Sequence, residues 1–201
     1  KMANLHFPGT QDSAKRIIQM GEQPERVMAV GEPGLEVMFR TTLLTRNELA
    51  ANLGLQSWSK WAILTYHPET RLSTKDNLDQ LKILVDEIKS IDGLQTVITA
   101  ANPDTGGNQI NSLLLSEAKS NENLLFFESL GQLRFISLLK ESVLVAGNSS
   151  SGIVEAPTFG IPVLNIGNRQ KGRPQAENIV NAEGTLMSIK NGLGKALNME
   201  I

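Results

Sequence analysis

Short apolar runs alternate with amphipathic stretches through most of this chain. The runs at residues 26–30, 61–66, 95–101, 124–128, 143–146 and 162–166 are brief and apolar on both faces. Strands with that pattern suit a parallel sheet covered by helices on either side. The stretches between them repeat their apolar residues at helical spacing. Residues 12–20 place Ala14, Ile17 and Ile18 on one face. Residues 74–91 do so with Leu78, Leu81, Leu84, Val85 and Ile88, behind Ser73 or Thr74 as N-cap. Further helices are predicted over 45–53 (Thr45 as N-cap), 109–119, 131–140 and 152–158, with two more near the end. Strands alternating with helices predict a doubly wound α/β sheet of Rossmann-like type.

The first 40 residues break the rhythm. They read as one helix, one strand and a turn-rich segment, Gly31-Glu32-Pro33-Gly34-Leu35-Glu36, and a fresh Rossmann-like run starts near Lys60. Residues 1–40 are therefore expected to be the tail of a preceding domain with its linker, and residues 41–201 a Rossmann-like domain of the usual size. The opening Lys1-Met2-Ala3-Asn4 has no recognisable start and reads as an internal beginning.

Composition narrows the chemistry. Nineteen Lys and Arg against twenty-one Asp and Glu give a net charge of −2, which offers no basic face to nucleic acid and no polybasic anchor to a membrane. No apolar run approaches the roughly 20 residues of a membrane span. The absence of cysteine excludes disulfides, thiolate zinc and a cysteine nucleophile, and fits a reducing cytosol. With only His6 and His67, a multi-histidine metal site is not expected, and nothing calls for a cofactor.

Four loops carry candidate chemistry, each at the carboxyl end of a predicted strand, where ligands bind in open α/β sheets. In Thr65-Tyr66-His67-Pro68-Glu69-Thr70, Pro68 turns the chain outward and aims His67 into the crevice, to bond a phosphate or move a proton; a histidine bonded to backbone fits the same residues. In Ala101-Asn102-Pro103-Asp104-Thr105-Gly106-Gly107, Asn102 can donate to a phosphate or ribose oxygen, although plain turn chemistry accounts for the spacing as well. Gly147-Asn148-Ser149-Ser150-Ser151-Gly152 leads into a helix, with small residues that admit a close ligand and hydroxyls and N–H groups that attract phosphate oxygens. It lacks the Gly-Lys of a Walker A loop. Glu155 follows in the first helical turns, where ribose hydroxyls can donate to it; an ordinary capped helix is the plainer reading. Ile166-Gly167-Asn168-Arg169-Gln170-Lys171-Gly172-Arg173 offers two guanidinium forks, Arg169 and Arg173, of which Arg169 should reach the ligand of Ser149.

Together with His6-Phe7, Gly21-Glu22 and Val30-Gly31-Glu32-Pro33-Gly34, these motifs resemble the UDP-N-acetylglucosamine 2-epimerases, over nearly the whole chain. The specific part is Asn148-Ser149-Ser150-Ser151-Gly152 with Asn168-Arg169-Gln170, which look closest to the hydrolysing branch of sialic and nonulosonic acid synthesis. The non-hydrolysing branch carries His-Arg-Arg and Asp-Ser-Gly-Gly where this chain has His67-Pro68 and Asn148-Ser149-Ser150-Ser151. The resemblance implies the C-terminal domain of a two-domain fold like the GT-B glycosyltransferases. It implies that Ser149, Ser150 and Glu155 hold UDP, with Arg169 as a further contact, and that Asn102 and His67 match a binding position and an active-site histidine. The backbone near Leu130 would border the uracil, and Arg173 stands where the non-hydrolysing branch keeps an arginine. The implied reaction expels UDP from UDP-N-acetylglucosamine as the proton at sugar C2 is removed. A 2-acetamidoglucal forms, and water then adds to give N-acetylmannosamine. The family's catalytic carboxylates lie in its N-terminal half. The expected partners are a UDP-sugar and a second copy of the full-length protein, with neither metal nor cofactor, in the cytoplasm. A non-hydrolysing epimerase, a 2,4-diacetamido-sugar epimerase and a GT-B glycosyltransferase are the alternatives; by itself the chain is expected to bind UDP without chemistry.

Overall fold

The structure is a computed structural model that describes residues 3–199; Lys1 and Met2, on which the reading of an internal beginning rests, lie outside it. The chain divides into two compact units, Lys1–Thr42 and Leu43–Ile201.

The first unit is built from α1 (Gln11–Gln19), a 3-10 turn at Pro24–Arg26 and α2 (Pro33–Arg40). Thr10 caps α1 by accepting from the Ser13 amide at 3.1 Å. Two expectations are corrected here. The apolar run 26–30 is not a sheet strand: it lies beside residues 6–8 and makes a single parallel bridge, His6 to Val27. His6 N donates to Arg26 O at 2.8 Å and Met28 N to His6 O at 2.9 Å, but the described residues of this unit supply no further strand to extend the ladder. The turn-rich segment 31–36 in fact starts a helix, because Pro33 at the first helical position has a fixed φ and no N–H to lose.

The second unit holds the predicted doubly wound sheet. Its elements are α3 (Arg46–Leu53), β1 (Lys60–Thr65), α4 (Thr74–Lys89), β2 (Leu94–Thr99), α5 (Gly107–Ser120), β3 (Leu124–Phe127), α6 (Gly131–Glu141), β4 (Leu144–Gly147), α7 (Ser150–Val154), β5 (Val163–Ile166), β6 (Ile179–Ala182) and α8 (Leu186–Leu197). All strands run parallel in the order β3-β2-β1-β4-β5-β6. Side chains alternate across the sheet. Ala62, Leu64 and Ile98 pack on one side against Leu81, Leu84 and Val85 of α4, Ile110 and Leu114 of α5, and Ile189 and Leu193 of α8. Trp61 and Ile63, equally buried, point to the opposite face. There Arg46 of α3 stacks 3.7 Å from the Trp61 ring centre and reaches Glu141 Oε2 of α6 at 3.2 Å. Trp58 belongs to neither layer and stays 82% exposed.

The helix caps follow the sequence reading. Thr45 and Glu48 close a reciprocal capping box at α3, and Ser73 accepts from the Asp76 amide at α4. Two elements differ. Of the two helices expected near the end only α8 forms, and the residues before it make β6 instead. This edge strand of four residues carries Asn181 and packs poorly on one side, so it leaves no apolar run to recognise. The helix expected over 152–158 is a short α7 that passes into a 3-10 turn at Ala156–Phe159, because Pro157 cannot continue the α ladder.

What positions a ligand is the reversal between β1 and β4. Strands are added outward from β1 in one direction and then from β4 in the other, so their carboxyl ends splay apart into a crevice. Thr65, Thr99 and Gly147 end β1, β2 and β4 side by side in register.

Candidate active site

At this crevice lies an open cleft of about 510 Å³. His67, Asn102, Leu130, Ser149, Ser150, Glu155 and Arg169 all line it, from the segments that follow β1, β2, β3, β4 and β5. Arg173 does not. It lines a separate cavity of about 400 Å³ with Asn168, Lys171 and Gln175. The loop after β5 coils tightly, Lys171 N donating to Asn168 O at 3.0 Å and Arg173 N to Gln170 O at 3.2 Å, so the two guanidinium groups are turned to different sides.

His67 is 8% exposed and its ring is already committed. The Asn102 amide donates to Nδ1 at 3.0 Å, so Nδ1 carries no proton and the neutral ring holds its proton on Nε2. Burial, and then the Arg169 cation, push the His67 pKa down to about 4, against a smaller opposing pull from Asp104. At neutral pH this histidine is a hydrogen-bond donor through Nε2–H and not a base. Arg169 is half-buried, and its pKa is lowered by burial and by Arg173, with Asp104 opposing; it remains a cation. Its Nη1 donates to Asn148 O at 3.2 Å, which leaves the rest of the fork for a ligand.

Ser149 caps α7, its Oγ accepting from the Ser151 amide at 3.4 Å and from Ser151 Oγ at 3.0 Å. A helix of five residues has little macrodipole, so attraction for an anion here comes from discrete N–H and O–H donors. Gly147 permits the loop's approach to β1. Its φ is +124°, and an added Cβ would lie 2.0 Å from Thr65 O. On the far side Leu130 caps α6 and is 3% exposed, with Glu128, Gln132 and Phe135 beside it. The arrangement can surround an anion with a guanidinium, an imidazole N–H and serine groups at one end, and enclose a flat or ring-shaped group against Leu130 and Phe135 at the other.

Sequence reasoning missed two sets of residues. Thr65, Thr99 and Glu128, at or just past the ends of β1, β2 and β3, line the same cleft with no role expected of them from sequence. Glu69 and Gln170 act beneath it: Glu69 Oε2 accepts from the Asn168 amide at 3.0 Å, and Gln170 Nε2 donates to Asn148 O at 2.8 Å. Both stand inside the quoted motifs, but nothing in the spacing shows that their side chains hold other loops in place.

The neutral His67 makes a testable acid response. As pH falls from 7, the unfolded chain binds a proton near 6.5 and the folded chain only near 4. The unfolded state thus holds more protons in that window, and stability falls with falling pH between these values. The expected loss is about 1 to 2 kcal/mol, because solvent entering the open cleft screens part of the 1.36 kcal/mol that each pH unit between them would otherwise carry. Urea unfolding at a series of pH values should show this slope in the parent and lack it in His67→Gln. Equal slopes in both would place the histidine ring in water.

Among the described residues no group of three or more His, Asp or Glu could hold a metal ion, and no helix is long and apolar enough to cross a membrane. The family model for UDP-N-acetylglucosamine 2-epimerase matches residues 1–200. The chain is 34% identical to the GDP/UDP-N,N'-diacetylbacillosamine 2-epimerase (hydrolyzing) of Campylobacter jejuni, over 91% of this chain and 48% of that protein. It is 32% identical to the UDP-N,N'-diacetylbacillosamine 2-epimerase (hydrolyzing) of Legionella pneumophila, over 98% and 52%. The chain thus spans about half the length of these curated relatives. In fold it matches the Methanocaldococcus jannaschii UDP-GlcNAc 2-epimerase solved with UDP-GlcNAc and UDP, with a TM-score of 0.71 at 16% identity, covering 98% of this chain and 55% of that one.

Proposed function

The chain belongs to the UDP-N-acetylglucosamine 2-epimerase family, and on that premise we propose that it is the UDP-binding, C-terminal half of a hydrolysing 2-epimerase. The observation that carries this reading is the convergence of His67, Asn102, Ser149, Ser150, Glu155 and Arg169 on one cleft at the sheet's topological switch point. In this reading Arg169, His67 Nε2–H and the Ser149–Ser150 donors take the diphosphate. Glu155 accepts from the ribose hydroxyls, and the uracil lies toward Leu130. Arg173 lines the neighbouring cavity and acts on the sugar-nucleotide only as a screened charge.

The chemistry asks for this set of donors. The C1–O bond to UDP breaks as a base removes the C2 proton, leaving a glycal and the UDP anion. Water then returns OH to C1 and H to the opposite face of C2. Preorganised donors lower the barrier by meeting charge as it develops on the leaving oxygens, and Arg169 and His67 act there. The proton-moving carboxylates are assigned to the other half of the enzyme, and a second copy of the whole protein is its expected partner. The substrate is a UDP-sugar, with UDP-N-acetylglucosamine as the simplest case. The names of the Campylobacter and Legionella relatives favour a 2,4-diacetamido sugar as a second reading. A cytoplasmic location follows from such a substrate.

Calorimetry should detect UDP binding to this chain at millimolar affinity or better, about −4 kcal/mol. The whole protein, given either UDP-sugar, should release UDP and the free 2-epimeric sugar in equal amounts. Accumulation of an epimerised UDP-sugar instead would make it non-hydrolysing, and transfer only to an added acceptor would make it a glycosyltransferase.

A further inference from the structure

Across the carboxyl edge of the sheet, the loops after β5, β4, β1 and β2 are joined by one lateral chain of hydrogen bonds that follows the strand order. Arg169 Nη1 and Gln170 Nε2 donate to Asn148 O at 3.2 and 2.8 Å. Asn148 Nδ2 donates to His67 O at 2.8 Å, and His67 N donates to Asn148 Oδ1 at 2.7 Å. Asn102 N then donates to His67 Nδ1. Asn148 N itself donates to Thr65 O at 3.1 Å, so every hydrogen-bonding group of this fully buried residue is engaged. Its carboxamide pairs with the His67 peptide as a strand residue would, and so extends the β1–β4 ladder beyond its last backbone pair.

We propose that Asn148 is the positioning residue of the site, fixing with its side chain the peptide that carries His67 and with its carbonyl the loop that carries Arg169. This assignment rests on the nucleotide-site reading for its purpose, though not for its geometry. Gln170 supports it. The Gln170 side chain is 2% exposed and its Oε1 has no hydrogen-bond partner, a costly arrangement. Turning the amide over would set Oε1 against Asn148 O, so the orientation is fixed by the need to donate to that carbonyl. Only a carboxamide of this length serves at 148. Aspartate keeps the acceptor for His67 N but loses the donor to His67 O and adds a negative charge under an anion site. Serine falls short of both.

Two variants, Asn148→Ser and Asn148→Asp, test the inference in this chain. The first arm needs no nucleotide. The ring nitrogens of His67, identified by their loss in His67→Gln, are followed by NMR. The parent should show one tautomer, with the proton on Nε2. Asn148→Ser should show a mixture, and Asn148→Asp should titrate at higher pH than the parent. Arg169 and Asp104, the charged groups that act on the ring, and Glu128 and Glu155, which line the same cleft, are the same in all three proteins. Parent tautomer and titration in both variants would overturn the proposal. The second arm is a double-mutant cycle with UDP. Asn148→Ser should weaken UDP about tenfold in the parent and about twofold or less on a His67→Gln background, because most of its effect passes through His67. An equal factor on both backgrounds would overturn it. Should Asn148→Ser fail to fold, Asn148→Asp decides by the first arm. A parent that binds no UDP sinks the nucleotide reading, and the first arm then decides this inference alone.

Discussion

Gly147→Ala is expected to cost more than about 3 kcal/mol of stability and to abolish nucleotide binding, the largest effect of any single methyl group in the second unit. Two penalties coincide there. A φ of +124° is open only to glycine, and the new Cβ would stand 2.0 Å from Thr65 O and 2.7 Å from Thr65 C. Those are backbone atoms of β1, held on both sides by β2 and β4, so they cannot retreat as a flexible side chain would. Gly152→Ala is the comparison. Its Cβ would meet Val163 Cγ1 at 2.9 Å, a side-chain atom that can shift by rotation, and its backbone is helical. The expected order in urea unfolding is a large loss for Gly147→Ala and about 1 to 2 kcal/mol for Gly152→Ala. A Gly147→Ala protein within 1 kcal/mol of the parent would mean that the β1–β4 junction is looser than its geometry.

The same junction shows what the sequence could reveal and what it could not. The central strands were legible because burial on both faces leaves nearly uninterrupted apolar runs, as in Trp61-Ala62-Ile63-Leu64. The edge strand β6 was not, since a strand packed on one side with Asn181 in its middle has no such run. Residues 26–30 show the converse error. They have a strand's composition, but a strand also needs partners, and the described part of the first unit gives them a single bridge.

The site divides along a similar line. Residues whose side chains meet the cleft stand just past strand ends, where local pattern finds them: His67, Asn102, Ser149 and Arg169. Residues that hold those in place are legible only from contacts across 81 and 99 positions of sequence, as between His67 and Asn148 or Glu69 and Asn168. Arg169 and Arg173 make the limit plain. Sequence puts both guanidinium forks in one loop, and one tight turn in the chain sends them to different cavities.

That separation yields the sharpest functional test. Arg169→Ala should weaken UDP about 10- to 100-fold, as loss of a hydrogen bond to a charged group costs about 1.5 to 3 kcal/mol. Arg173→Ala should weaken it by about threefold or less, the scale of a screened charge nearby. The stability of Arg169→Ala should stay within about 1 kcal/mol of the parent. One of its hydrogen bonds, to Asn148 O, is lost, but Gln170 still donates to that carbonyl. Arg169→Lys separates charge from geometry. A lysine restores the cation without the fork, so it should recover part of the affinity if the partner is a phosphate read by charge, and little if two parallel N–H donors are required. The His67 ring gives a second readout. Arg169 lowers its pKa, so removing the guanidinium should let the His67 titration rise from about 4 in the free protein. Calorimetry that finds the two arginine variants equally impaired would put the diphosphate between both cavities. Full affinity in Arg169→Ala would remove it from this loop altogether.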